Sequence, residues 1–165
     1  MIDRKAILFI MLNVVLYEPE IPQNTGNIAR TCALTETKLH LIEPLGFSIS
    51  DKAVKRAGLD YWNLVDISVY VDFETFLEKN NYPQPYILTT HATKNYADIK
   101  FHDNDFLMFG RETAGLPDDI HKRFYDRRFR IPMRDHPEAR SLNLANSVNI
   151  VLYEALRQNH FFDLV

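Results

Sequence analysis

The chain has 165 residues, enough for one well-cored domain and too few for two. Its 46% hydrophobic and 25% charged content is that of a globular protein and excludes a disordered or low-complexity reading. A net charge of -3 argues against a protein that grips nucleic acid by bulk charge, and no stretch reaches the roughly 18 uninterrupted apolar residues of a membrane span.

Met1 to Met11 carry Arg4 and Lys5 before a short apolar run, but no small-residue cleavage site follows, so a signal peptide is a poor fit. Residues 1–10 read as a dispensable extension ahead of a single domain, residues 11–165. Asn13 to Tyr17 is apolar and β-branched and predicts a strand; a helix follows from about Asn24 to Leu34. Lys38 to Ile42 is the next strand, stopped by Pro44 and Gly46, and Asp51 to Ala57 reads as a helix closed by Gly58. A strand at Ile67 to Val71 precedes a helix, Asp72 to Lys79, whose Phe73, Phe76 and Leu77 share one face. Further strands are predicted at Tyr86 to Thr90, Asp105 to Phe109 and Arg128 to Ile131, with a short helix near Pro117 to Phe124. The longest helix comes last, about Asn143 to Gln158. In it Leu144, Ala145, Val148, Val151, Leu152, Ala155 and Leu156 recur at helical spacing, which demands a buried face.

Repeated strand–helix alternation predicts an α/β fold, a parallel sheet with helices on both faces. In such sheets ligands bind outside the carboxyl ends of the strands, so function is sought in the loops that follow them.

Several chemistries are excluded by what those loops lack. The five glycines, at 26, 46, 58, 110 and 115, form no G-x-G-x-x-G. Gly110 and Gly115 have P-loop spacing, but Leu116 and Pro117 stand where Lys and Ser/Thr are needed to hold phosphate and magnesium. No serine sits in G-x-S-x-G. The six histidines are scattered singly, so no metal is expected. The single cysteine, Cys32, closes no intramolecular disulfide and reads as a small core residue, which suits a reducing cytoplasm.

Three loops stand out. In Asn24-Thr25-Gly26-Asn27-Ile28-Ala29-Arg30, Asn24 is placed to cap the helix and Arg30 offers a bidentate phosphate clamp, though a plain cap and a surface arginine explain the pattern equally well. Phe109-Gly110-Arg111-Glu112-Thr113-Ala114-Gly115-Leu116-Pro117 leads an apolar strand into a turn; turn-making accounts for its glycines but not for Glu112. Ile131-Pro132-Met133 is followed by an arginine-rich loop and then by Ser141 to Ser147, where Asn143, Asn146 and Asn149 repeat an amide every three residues. Between Lys122 and Arg140 lie seven basic residues against three acids, a phosphate-binding patch or a solvated surface.

Asn-x-Gly-x-Ile-x-Arg, then Phe-Gly-x-Glu-x-x-Gly-Leu, then Ile-Pro-Met with Ser-Leu-Asn-Leu-Ala-Asn-Ser-Val, in this order, resemble the three motifs of the SPOUT RNA 2′-O-methyltransferases. Val15 to Asn27 and Ala57 to Trp62 are similar to the TrmL (YibK-like) branch, which methylates the wobble nucleotide of tRNA, cytidine or modified uridine. The likeness runs from about Met11 to Gln158. It implies a SPOUT sheet with a C-terminal deep trefoil knot, S-adenosyl-L-methionine as methyl donor, S-adenosyl-L-homocysteine as product and no metal. Carried over by position, the cofactor contacts are Leu88, Gly110, Ile131 and Ser141, and the catalytic residues are Arg30, Asn24 and Glu112, with Asn143 and Tyr153 in support. A guanidinium is a poor base, so Arg30 is equally readable as a phosphate clamp that polarises the ribose hydroxyl.

The resemblance also implies a homodimer in which the arginine of one subunit completes the site of the other. The amphipathic last helix, with Phe161 and Phe162, is then expected at the dimer face, and the anticodon stem-loop of tRNA is the expected partner. Arg111 and Ala114 depart from the usual second motif, where proline and arginine are common. The chain stops soon after the last helix, so no appended RNA-binding domain is expected. Methylation of ribosomal RNA, or RNA binding without catalysis, are the competing functions.

Overall fold

A computed structural model describes residues 12–50, 52, 54, 56 and 61–165. Six strands form one sheet: β1 (Asn13–Tyr17), β2 (Lys38–Ile42), β3 (Ile67–Tyr70), β4 (Tyr86–Leu88), β5 (Phe106–Phe109) and β6 (Arg128–Phe129). Their order is β3-β2-β1-β5-β4-β6 and every pairing is parallel. Among the described residues the longer complete helices are α1 (Pro22–Leu34), α2 (Phe73–Lys79), α3 (Asp118–Arg123) and α4 (Leu144–Gln158). Among the described residues no helix is long and apolar enough to cross a membrane. The extension at residues 1–10 and most of the helix expected at Asp51 to Ala57 lie outside the described residues; Lys52, Val54 and Arg56 are helical.

Alternation along β1 sorts side chains between two cores. Val14 and Leu16 join Ile28, Ala29 and Cys32 of α1 and the stripe of α4 on one face, while Val15 joins Phe76 and Leu77 of α2 and Ile120 of α3 on the other. Helices therefore cover both faces, as the strand–helix alternation requires. Val148, Val151, Leu152, Ala155 and Leu156 are all essentially inaccessible. The apolar stripe of α4 thus packs on its own sheet and on α1, so the stripe itself is not available to a dimer face. What α4 leaves exposed is a different side, Ile150 and Tyr153, with Phe161 beyond its end.

Element boundaries differ from expectation where tertiary pairing intervenes. Helix α1 starts at Pro22 rather than Asn24, because proline's preset φ suits the first turn; Asn24 lies inside the helix and is not its cap. Strand β6 stops at Phe129 because Arg130 donates its N–H to the Lys94 carbonyl and accepts from Tyr96 N–H, leaving β4 for the β4–β5 connection. Asn143 caps α4 by accepting the Asn146 N–H at 3.2 Å.

His40 sits buried in β2 between Asn13 Oδ1 (3.0 Å) and the Tyr70 hydroxyl (2.7 Å). Because the Asn13 oxygen can only accept, Nε2 carries the proton, Nδ1 accepts from Tyr70, and Tyr70 in turn accepts from Asn80 Nδ2 at 3.1 Å. Burial first, and the positive charge of Lys38 second, push the His40 pKa down to about 3. The unfolded chain takes up this proton near pH 6.5 and the folded chain does not, so stability falls as pH drops from about 6.5 toward 3, by about 1.4 kcal/mol per pH unit. In urea unfolding, the loss between pH 6.5 and 5 is expected to be about 2 kcal/mol larger for the wild type than for His40→Gln. Equal pH slopes would contradict this assignment.

Candidate active site

Strand order reverses between β1 and β5, and at their carboxyl ends the following loops diverge to open a crevice, where a parallel sheet binds its ligand. The loop after β1 and the loop after β5 are stapled together there. Glu112 Oε2 accepts the Glu20 N–H at 2.8 Å, and its Oε1 accepts the Ile21 N–H at 3.0 Å and Asn24 Nδ2 at 3.2 Å. In return, the Glu20 carboxylate accepts the N–H and hydroxyl of Thr113 at 2.8–3.0 Å. A third link is the Arg111–Glu18 ion pair at 3.1 Å. Helix α1 has no side-chain cap at Ile21 and no acid in its first turn, so Glu112 brings the negative charge that its amino terminus attracts.

Asn24 is the junction of three loops. It is buried, donates to Glu112 and accepts from Asn143 Nδ2 at 2.9 Å. Glu112, Asn24 and Asn143, one from each motif, form one polar chain, and Asn24 keeps one amide N–H free of these bonds.

Gly110 and Gly115 have separate reasons. A Cβ on Gly110 would fall 2.4 Å from the Gly115 carbonyl carbon, so only glycine lets the loop double back, and Gly115 has φ +64°. Arg111 and Gly115 exchange both backbone hydrogen bonds, closing the turn. Glu112 at its tip thereby points to α1.

A cleft of about 440 Å³ opens beside this junction, within the size range of small-molecule sites. Leu88 at the end of β4, Gly110 after β5, Ile131 after β6 and Ser141 before α4 all line it, with Asn24 and Glu112. Phe109, Leu116 and Leu142 add apolar wall, while Arg111 Nε, buried in that wall, has no hydrogen-bond partner among the described residues. An apolar slot rimmed by loop backbone suits a small planar ligand.

Arg30 does not join this group. It is exposed on α1, with its guanidinium 4.8 Å from the centre of the Tyr61 ring. Tyr153 is also exposed, on α4. Burial and the adjoining Glu18 push the Tyr17 phenol up to about 12, so it is no base at neutral pH. Cys32 is wholly buried and its thiol is pushed up by that burial, in keeping with a core role. The sequence reading missed the Glu20–Thr113 and Glu18–Arg111 staples, for which spacing carries no signal. It also missed His91, which lines the cleft and meets the buried His121 edge-to-face at 5.5 Å.

Residues 11–153 match the SpoU rRNA Methylase family. The chain is 49% identical over 149 residues to the tRNA (cytidine(34)-2'-O)-methyltransferase of Escherichia coli K12, covering 90% of this chain and 94% of that one. It is also similar to a solved structure described as giving insight into the 2-OH methylation of C/U34 on tRNA, with TM-score 0.85 and 44% identity over 91% of this chain and 97% of that one. A third likeness is to the SpoU methyltransferase AviRb from Streptomyces viridochromogenes in complex with AdoMet, with TM-score 0.77 and 25% identity, covering 97% of this chain and 65% of that one.

Proposed function

The chain belongs to the SpoU rRNA Methylase family, and from that premise we infer that it is a tRNA 2′-O-methyltransferase that uses S-adenosyl-L-methionine to methylate the wobble nucleotide, cytidine or modified uridine. The observation that carries this reading is that Leu88, Gly110, Ile131 and Ser141, far apart in sequence, line one cleft with Asn24 and Glu112. Leu88, Ile131 and Leu142 would hold the adenine, the backbone about Gly110 and Ser141 would hydrogen-bond it, and Arg111 would face the carboxylate.

When bound, S-adenosylmethionine supplies an electrophilic methyl group for in-line displacement. The residues then have to aim a ribose hydroxyl and manage its proton. Glu112 and Asn143 clamp Asn24, whose remaining N–H would orient the ribose. Arg30 would anchor the neighbouring phosphate and polarise the hydroxyl. Since Arg30 lies outside the cleft of its own chain, the complete site takes Arg30 from a second copy, in a homodimer built on the exposed residues of α1 and α4. Threading of the segment after β6 into a trefoil knot is part of this reading. It is supported by Gln158 and Asn159 at the end of α4, which bond back to Ile99 and Phe101 in the β4–β5 connection. Residues 11–165 are then one SPOUT domain with residues 1–10 as an extension, and a reducing cytoplasm suits Cys32.

Incubation with methyl-labelled S-adenosylmethionine and separate pools of tRNA and ribosomal RNA tests the proposal. Label is expected on a ribose at the wobble position of tRNA. Label in ribosomal RNA alone would move the substrate, and label on a base, or RNA binding with no transfer, would overturn the reading.

A further inference from the structure

The seven basic residues between Lys122 and Arg140 do not act as one surface. Arg123 is paired with Glu74 at 2.7 Å; Arg127 lies on the Tyr86 ring and Arg128 on the Tyr125 ring, each 4.1 Å from the ring centre. These three are committed to packing. Arg130, Arg134 and Arg140 instead face a second cleft of about 530 Å³, and none of them makes an ion pair among the described residues. Its single lining acid is Asp135.

We propose that this second cleft takes a backbone phosphate of the RNA strand whose ribose is methylated, a proposal that rests on the function inferred above. Three observations carry it. The clefts adjoin, with Thr90, Met133 and Arg140 lining both, so a strand with its ribose in one has its next phosphodiester in reach of the other. The donors suit a phosphate: three guanidiniums, the Thr90 and Thr93 hydroxyls, and His136, whose Nδ1 accepts the Glu138 N–H at 3.2 Å, so that its Nε2 carries the proton. Finally, the wall holds no Phe, Tyr or Trp on which a base could stack, so it suits backbone and not base. Arg130 is the rigid member, its backbone bonded on both sides to the Lys94–Tyr96 segment, whereas Arg134 is exposed on a loop.

The test uses the full chain with Arg130→Gln, Arg134→Gln and the double substitution, none at a residue lining the first cleft. Calorimetry measures S-adenosylhomocysteine affinity, and filter binding measures tRNA affinity from 50 to 200 mM salt. In the double variant, tRNA affinity is expected to fall about tenfold and the salt slope to flatten by about one phosphate contact, or 0.7–0.9. Cofactor affinity should stay within about twofold, which also reports that the variant is folded. Unchanged tRNA affinity and slope would overturn the proposal. So would a loss of cofactor affinity as large as the loss for tRNA, because the arginines would then serve the methyl donor. The two inferences separate cleanly: a wild-type chain that methylates no RNA removes the function, whereas active enzyme with indifferent variants removes only the phosphate site.

Discussion

Arg30→Ala is expected to lower methyl transfer by about 10²–10³-fold, the range associated with losing one preorganised donor in the transition state, while leaving S-adenosylhomocysteine affinity within about twofold. The second half follows from geometry: Arg30 is exposed, contacts the Tyr61 ring and is not among the residues lining the donor cleft. Arg30→Lys keeps the charge but not the planar fork, so it should recover only part of the rate. Mixed dimers make the result sharper. When Arg30→Ala and Glu112→Ala subunits are combined, an arginine acting across the interface regenerates one intact site per heterodimer. An arginine acting within its own chain leaves both sites defective. Retention of more than about a tenth of the wild-type rate by Arg30→Ala, or no recovery on mixing, would remove Arg30 from its proposed place.

The second large effect is expected at Glu112. Its carboxylate accepts from two backbone amides and from Asn24, and the first turn of α1 holds no acid of its own. Glu112→Gln is nearly isosteric, yet it turns an acceptor toward Asn24 or a backbone N–H into a donor and removes the charge. A hydrogen bond to a charged group contributes about 1.5–3 kcal/mol, so the expected loss of stability in urea unfolding is of that order. Both loops belong to the cleft, and activity and cofactor affinity should therefore fall together, in contrast to the selective effect at Arg30. A Glu112→Gln protein with normal stability and normal cofactor affinity would show that the staple does not hold the cleft in shape.

Much of the fold was legible from residue patterns because its strands are short apolar runs with clear stops. Asn13–Tyr17 and Lys38–Ile42 have the expected bounds, and α4 differs from expectation by its capping residue alone. Errors arose where a distant segment competed for hydrogen bonds. The strand expected to run to Ile131 gives up Arg130 to the β4–β5 connection, and Asn24, a plausible cap in isolation, is drawn into a helix that proline starts two residues earlier. The apolar stripe of α4 was correctly seen as buried, but periodicity cannot say against what, and its partner is the chain's own sheet.

The chemistry was legible through the order of the three motifs and their resemblance to the SPOUT RNA 2′-O-methyltransferases, since a cap, a turn and a surface arginine explain each pattern taken alone. That Glu112, Asn24 and Asn143 join in one hydrogen-bonded chain, that Arg30 lies apart from it, and that three of the seven basic residues converge on one cleft were decided by the tertiary structure alone. The physical reason is one of range. Propensity and hydrophobic period act over a few residues, whereas each of these contacts joins positions tens of residues apart and exists only once a parallel sheet has brought the ends of its strands together.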